Sequence, residues 1–401
     1  MNLEEYFKRI GVHGSFDKLD IATLKLIHKQ HVMSIPFEDL SIHCGEKIIM
    51  DLEVIFNKIV RSSRGGWCFE GNFLFGWVLR EMGYDTTTLG SRCFISPVND
   101  FSPTEDHLIN MVVIEGKAYI ADVNYGSSWQ VWEPLELVSG KDQPQAAGVF
   151  RLTDNGDYWV LQKTVRKPEI LNPEFANSSL VNRKETNQMF CFNLVPREAD
   201  HFFEINHKLQ TDPTSRYINK SICSLQTPTG FRSLIGWTYS EVTYKSEEGV
   251  DVLDMRNITD DEIEQILFEK FNIKLKNKLQ PANKKICFGL SSQVWELLEL
   301  ISGKDQPQAA GVFRLIDNGD NWVLQKNGRK PEILNPDFAN SRLVNRKETN
   351  QIYCFTLVPR EADHFFETNH KLQTDPTSLF TMKSICSLQT PTGFRAVAAS
   401  Q

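Results

Sequence analysis

The chain has 401 residues, a formal charge of −7 and 24% charged side chains. Both signs are mixed along it, so no basic field marks it for nucleic acid, and no apolar run approaches the ~20 residues that span a membrane. The start, Met1-Asn2-Leu3-Glu4-Glu5-Tyr6, has acids where a signal peptide has bases, so a cytoplasmic chain is expected.

In chain order, Leu19, Ile21, Leu24, Ile27 and His28 predict a core-facing helix, and Leu52, Ile55, Phe56 and Ile59 predict another. His43-Cys44 pairs a base with a thiol, yet adjacent residues of an extended chain point to opposite faces, so a partly buried pair is expected. Next comes Arg64-Gly65-Gly66-Trp67-Cys68-Phe69-Glu70-Gly71-Asn72. Phe69, Phe73, Leu74, Trp77, Val78 and Met82 have helical spacing, and Gly83 is a natural stop. Cys68 is therefore expected in the first turn, where free N–H groups and the helix dipole favour an anion such as a thiolate. The two preceding glycines are expected to let the backbone turn sharply and come close to a reacting group. A free cysteine is ordinarily a small buried hydrophobe, so its downstream partners decide the matter.

His107 opens an apolar strand-like run, Glu115-Gly116 reads as a turn, and Asp122 lies in a second strand, Ala118 to Val123. Such a hairpin brings His107 and Asp122 within hydrogen-bond reach. His201 and His207 have metal-ligand types, but on a helix they lie about 120° apart, so no metal is expected. Leu234 to Tyr239 reads as a strand. Thr259 and Glu262 form a capping box for a helix near 260–272 whose apolar face is Ile263, Ile266, Leu267 and Phe271. The eight cysteines, at 44, 68, 93, 191, 223, 287, 354 and 386, include no Cys-x-x-Cys pair, so neither a zinc ribbon nor a disulfide framework is expected.

Residues 131–232 recur at 294–395, without gaps and with about 16 differences over roughly 100 positions. Solenoid repeats are shorter and more numerous, so this is a partial duplication. The second copy begins after Cys68, His107 and Asp122 and holds no counterpart of them, so it is not a second active site. Its apolar strands are expected to lack their usual partners.

Cys68, His107 and Asp122 have the types of a thiol triad: imidazole takes the thiol proton, carboxylate orients the imidazole, and sulfur attacks an acyl carbon. The chain here resembles the arylamine N-acetyltransferases, whose Arg-Gly-Gly-x-Cys-x-Glu-x-Asn hallmark is matched by Arg64, Gly65, Gly66, Cys68, Glu70 and Asn72. The resemblance covers residues 1–290, including Ile35-Pro36-Phe37-Glu38, Trp132-Glu133-Pro134-Leu135 and Ser221-Ile222-Cys223-Ser224, and is nearest to the vertebrate cytosolic type.

The resemblance implies an α+β, papain-like thiol-enzyme architecture. It places a helical domain at 1–85, a β-barrel domain at 86–200 and an α/β lid at 201–290, with the partial repeat at 291–401. It implies acetyl transfer from acetyl-CoA, a co-substrate and not a bound cofactor, to arylamines, arylhydrazines or arylhydroxylamines through a Cys68 thioester. It further implies a monomer and no membrane or nucleic-acid partner. By the same resemblance Asp106, Tyr125, Ser127 and Trp129 bind the acceptor. Ser102, Pro103, Thr104, Lys208, Thr214 and Cys287 take the CoA positions, although Pro103 removes a backbone donor and Lys208 and Cys287 depart from the family's tyrosine and serine. The same triad would serve a thiol hydrolase with water as acceptor, and the repeat raises a third reading, a catalytically impaired fusion product.

Overall fold

The computed structural model describes residues 1–14, 16, 18–95, 100–176, 178, 180–181, 184–212, 215–282, 305–308, 311–317, 322–327, 349–355, 383–390 and 393–400. It divides into two compact units, Met1–Lys284 and Lys285–Gln401.

The first unit opens with helices α1 (Leu3–Arg9) and α2 (Ile21–Ser34), the short strand β1 (Phe37–Glu38), then α3 (Leu40–His43), α4 (Leu52–Phe56) and α5 (Cys68–Met82). Side-chain caps start three of them: Asn2, Asp20 and Asp51 each accept an N–H from the first turn. Gly83 ends α5 in the left-handed region at φ 99°, as the sequence predicts. On α2, Leu24, Ile27 and His28 are buried as expected, whereas Leu19, placed before the cap Asp20, is 39% exposed. His28 donates from Nδ1 to the Trp132 carbonyl at 2.9 Å, and Tyr6 hydroxyl lies 2.7 Å from His31 Nδ1. Both imidazoles pack edge-on to Phe75.

Strands β2 (Asp85–Ile95), β3 (Asp100–Phe101), β4 (His107–Ile114), β5 (Lys117–Ala121), β6 (Leu135–Glu136), β7 (Asp142–Gln145), β8 (Gly148–Asp154) and β9 (Trp159–Thr164) follow, then β10 (Lys167–Ile170) and β11 (Thr186–Pro196). One sheet runs β6-β5-β4-β2-β11-β9-β8-β7, with β3 on β2. Its two edges meet through side chains instead of a backbone ladder. Gln143 accepts from Glu136 N (2.8 Å) and donates to Glu136 O (2.9 Å), while Gln145 accepts from Trp132 N (2.8 Å) and Glu133 N (3.1 Å) and donates to Glu133 O (2.8 Å). Two glutamines thus satisfy the edge groups that would otherwise stay open. This nearly closes the barrel.

After α6 (Phe203–Thr211) and α7 (Arg216–Asn219) come β12 (Ile222–Thr227), β13 (Gly230–Ile235), β14 (Thr238–Lys245), β15 (Val250–Asn257) and α8 (Asp260–Phe271). The second sheet runs β1-β12-β13-β14-β15-β10, so it draws one strand from the helical region and one from the barrel region. The stretch 234–239 is not one strand: Gly236, at φ 56°, and Trp237 form a two-residue turn between β13 and β14. Thr259 and Glu262 cap α8 as predicted, and Ile263, Ile266, Leu267 and Phe271 are buried against the sheet.

The helical and barrel regions share one core. Trp67, Phe69 and Phe75 of the helical part pack in the same cluster as Leu89, Leu108, Phe150 and Phe190 of the barrel, joined by Phe202 and Tyr217. Position 85 is therefore a change of secondary structure within one core.

In the second unit, β16 (Asp305–Gln308), β17 (Gly311–Asp317), β18 (Trp322–Asn327) and β19 (Thr349–Phe355) form a four-stranded sheet, and β20 (Lys383–Thr390) pairs with β21 (Gly393–Ser400).

Candidate active site

Cys68 is the first residue of α5, with Trp67 as N-cap in extended conformation. The residues around it explain the motif one by one. Neither Gly65 nor Gly66 has positive φ, so the sharp turn expected of them is absent. They permit close approach instead: a Cβ on Gly65 would fall 2.1 Å from the Pro36 carbonyl oxygen, and one on Gly66 would fall 2.8 Å from Glu70 Cβ. That closeness lets Glu38 N donate to Gly66 O and Gly66 N donate to Pro36 O, fastening the loop to β1.

Beneath the loop lies a buried set of charges. Arg64 Nε donates to Glu38 Oε1 at 2.9 Å, and Lys58 Nζ binds both oxygens of Glu70 at 2.9 Å. Burial opposes ionisation of Glu38, but Lys58 and Arg64 outweigh it and hold the carboxyl at about 2. Burial prevails at Glu70, whose carboxyl is raised despite Lys58. Glu70 also accepts Trp67 N at 3.1 Å, which satisfies a donor at the helix start. Such buried pairs add little net stability but fix the loop that presents Cys68.

The hairpin forms as predicted, with Ile114 paired to Lys117 and the turn at Glu115-Gly116. Asp122 lies one residue beyond β5, not within it. His107 Nε2 donates to Asp122 Oδ2 at 2.8 Å, both groups being 1% exposed. Cys68 Sγ lies 4.0 Å from the Asp106 carbonyl oxygen, and its thiol is near enough to His107 to favour the charged imidazole. Since Nε2 is taken by Asp122, Nδ1 is the ring nitrogen left for sulfur. Burial would lower the His107 pKa, yet Asp122 and Cys68 raise it to about 10. Burial likewise opposes Asp122 ionisation, but His107, Asn72 and the Asn124 N–H hold its carboxyl below the ordinary value.

Residues without an assigned role in the sequence reading complete the arrangement. Asn72, one turn after Cys68 on the same face of α5, donates to Asp122 Oδ1 (2.8 Å) and Leu108 O (2.8 Å) and accepts Val123 N (2.9 Å). Asn124 N donates to Asp122 Oδ1 at 3.1 Å, and its amide donates to Gly66 O at 2.9 Å and Trp67 O at 2.6 Å. Gln130 binds Asp122 O (2.6 Å) and accepts Tyr125 N (2.8 Å) and Gly126 N (3.1 Å). Spacing from Cys68 marks Asn72, but nothing in the sequence marks Asn124 or Gln130.

The Tyr125 ring stands 4.9 Å from that of His107, edge to face, and its hydroxyl donates to Met189 O. Ser127 makes its contacts to β12, through Ser224 and Gln226. Trp129, half-buried, packs against the main core. Asp106 accepts Cys93 N at 2.8 Å. Ser102 is buried, with its hydroxyl accepting Thr104 N, while Pro103, Thr104 and Lys208 are exposed. Thr214 and Cys287 lie outside the described residues. His201 sits in a short turn against Glu105 at 2.6 Å and His207 in α6, so the two are on different elements. Among the described residues no cluster of ligands suits a metal, and no helix is long and apolar enough to cross a membrane.

A family model described as N-acetyltransferase matches residues 20–280 and again 286–401. The chain is 50% identical over 286 residues to the arylamine N-acetyltransferase, pineal gland isozyme NAT-10, of Gallus gallus, covering 71% of this chain and 98% of that protein. It is 42% identical over 288 residues to arylamine N-acetyltransferase 1 of Rattus norvegicus, covering 72% of this chain and 99% of that one. In fold it resembles the Mycobacterium marinum arylamine N-acetyltransferase solved in complex with CoA, with TM-score 0.58 and 24% identity, over 68% of this chain and 93% of that one. With hallmark, fold and relatives in agreement, the chain belongs to the arylamine N-acetyltransferase family and is an acyltransferase.

Proposed function

We propose that the protein moves an acetyl group from acetyl-CoA to an arylamine, arylhydrazine or arylhydroxylamine through a thioester on Cys68. The observation that carries this reading is the His107–Asp122 pair, bonded at 2.8 Å and facing a cysteine at a helix N-terminus.

Asp122 favours the protonated imidazole, so sulfur attacks as thiolate with its proton held on His107. The Cys68 S–C bond forms, the acetyl C–S bond to CoA breaks, and His107 returns the proton to the departing CoA thiolate. An amine nitrogen then attacks the thioester while His107, now neutral, takes its proton. The C–N bond forms, the C–S bond breaks, and the thiolate–imidazolium pair is restored. The Cys68 N–H, at the start of α5, is placed to receive the oxyanion. Asn72 and Asn124 are positioning residues that hold Asp122 and the Cys68 loop in register. Tyr125 provides an aromatic wall for the acceptor beside His107. Ser102, Pro103, Thr104 and Lys208 border the CoA entrance, where Lys208 serves a phosphate as a point charge. Such an enzyme suits the reducing cytoplasm and the clearance of foreign aromatic amines.

The test is CoA release from acetyl-CoA with and without an aromatic amine. Release should rise with amine, acetylamine should accumulate, and Cys68→Ala should abolish both. Amine-independent release would sink the transferase reading in favour of hydrolysis.

A further inference from the structure

The segment 46–50 and α6 enclose a cavity of about 390 Å³ that none of the triad residues lines. Its walls are largely apolar, from Ile42, Ile48, Ile49, Met50 and Phe203. Phe203 and Asn206 lie three residues apart on one face of α6, whereas Lys208 points off another. Ile49 is 52% and Phe203 49% exposed, large apolar surface left open among the described residues.

One polar group there is unsatisfied. Asn206, 5% exposed, donates from Nδ2 to the Ile48 carbonyl at 3.1 Å, while its Oδ1 is buried without a donor. Gln210 also clamps Ile48, accepting its N–H at 2.7 Å and donating to its carbonyl at 3.0 Å. Turning the Asn206 amide over would set its oxygen against that carbonyl, so the acceptor stays unpaired. An unpaired buried acceptor is a standing cost that a ligand N–H or O–H removes. Of the ionisable groups in the lining, Glu46 is already held by Arg64 at 3.7 Å and Asn277 at 2.9 Å, and Lys47 and His207 are exposed, so a neutral ligand fits better than an ion.

We propose that this cavity is a second binding site, for a neutral molecule of one aromatic ring carrying an N–H or O–H donor directed to Asn206 Oδ1. Apolar walls with a methionine and a phenylalanine suit an aromatic ring, and the volume is that of a small-ligand site. Arylamines fall within this class, so an amine would bind here as well as beside His107. The site does not depend on the thioester route. It adjoins the catalytic region through Phe202, just before α6, whose ring lies 5.5 Å from that of Phe69 next to Cys68.

The experiment titrates the full chain, carrying ¹³C-methyl isoleucine and methionine, with p-cresol and with toluene, which has the same ring without the donor. p-Cresol should shift the Ile49 and Met50 methyls saturably, equally in wild type and Cys68→Ala, and at least about tenfold more tightly than toluene. Asn206→Leu should bring the two probes to parity. Phe203→Glu, an exposed change that spares the fold, should weaken both. Equal affinity for the two probes in wild type, no shift at Ile49 and Met50, or binding lost with Tyr125→Ala but kept with Phe203→Glu would each overturn the proposal.

Discussion

The two copies of the repeated segment reach the same local structure with different surroundings. Asp142 pairs with Arg151 in β7–β8, and Asp305 pairs with Arg314 in β16–β17. The ladder between β9 and β11 shifts register near Phe190, and that between β18 and β19 shifts at the equivalent Tyr353. Phe150 and Phe313 are both fully buried. Yet β11 also pairs with β2, and β12 and β13 sit within a six-stranded sheet, whereas among the described residues β19 ends its sheet and β20–β21 pair only with each other. Register is carried by local pattern and turns; site assembly needs partners from residues 1–130, and sheet extent needs partners from there and from β14 and β15, all of which occur once.

The largest test of that difference is Cys68→Ala in the full chain, which should cut acetyl transfer by at least about a thousandfold. Activity from residues 285–401 alone would break the comparison, since the second copy would then carry chemistry of its own. Asp122→Asn should follow, lowering kcat by about 10²–10⁴-fold through a misplaced imidazole. It should also change the pH dependence of stability. The folded His107 pKa is raised to about 10 from an ordinary 6.5, so its pairing stabilises fully below pH 6.5 and is lost as pH rises toward 10. Wild type should therefore lose stability over that interval, and Asp122→Asn should be nearly flat in denaturant titrations at stepped pH.

Asn72→Ala should cost about 1–3 kcal/mol, because it strands Asp122 and the Val123 N–H in a buried setting. Gln145→Ala, which opens the barrel seam, should cost about 1 kcal/mol by urea unfolding. The smallest effects concern what the copies share. Arg151→Ala and Arg314→Ala each remove an exposed ion pair, at 2.7 and 2.6 Å, and neither should move the unfolding midpoint measurably. A clear shift for one but not the other would mean that even local pairing depends on the wider sheet.

Much of this was legible beforehand where the signal is local. The spacing from Phe69 to Met82, the Gly83 stop, the Glu115-Gly116 turn and the Thr259–Glu262 cap all have short-range causes, and each stands as predicted. Cys68, His107 and Asp122 were legible as types and are brought together by the hairpin and α5. Functions that depend on contact across the chain were not. Gly65 and Gly66 look like turn residues until Pro36 and Glu70 are seen pressing on them, and no spacing announces that Asn124 would tie Asp122 to the Trp67 carbonyl. The strand expected at 234–239 failed because Gly236 at positive φ breaks it into a turn. Position 85 falls where α5 gives way to β2, but no spacing shows that helix and barrel side chains fill one core.

The buried histidines of α2 set a limit at the opposite end of the pH scale. His28, sealed against Phe75 and Trp132, is held neutral: burial depresses its pKa to about 4, and burial likewise pushes His31 well below its ordinary value. In the unfolded chain both take up protons near pH 6.5, so from there down to about 4 the unfolded state binds more protons and gains on the fold. Acid therefore loosens the helical end of the molecule while alkali weakens the His107–Asp122 pair. The fold is most secure near neutrality, where His28 and His31 are neutral in both states and the His107–Asp122 pair is still intact.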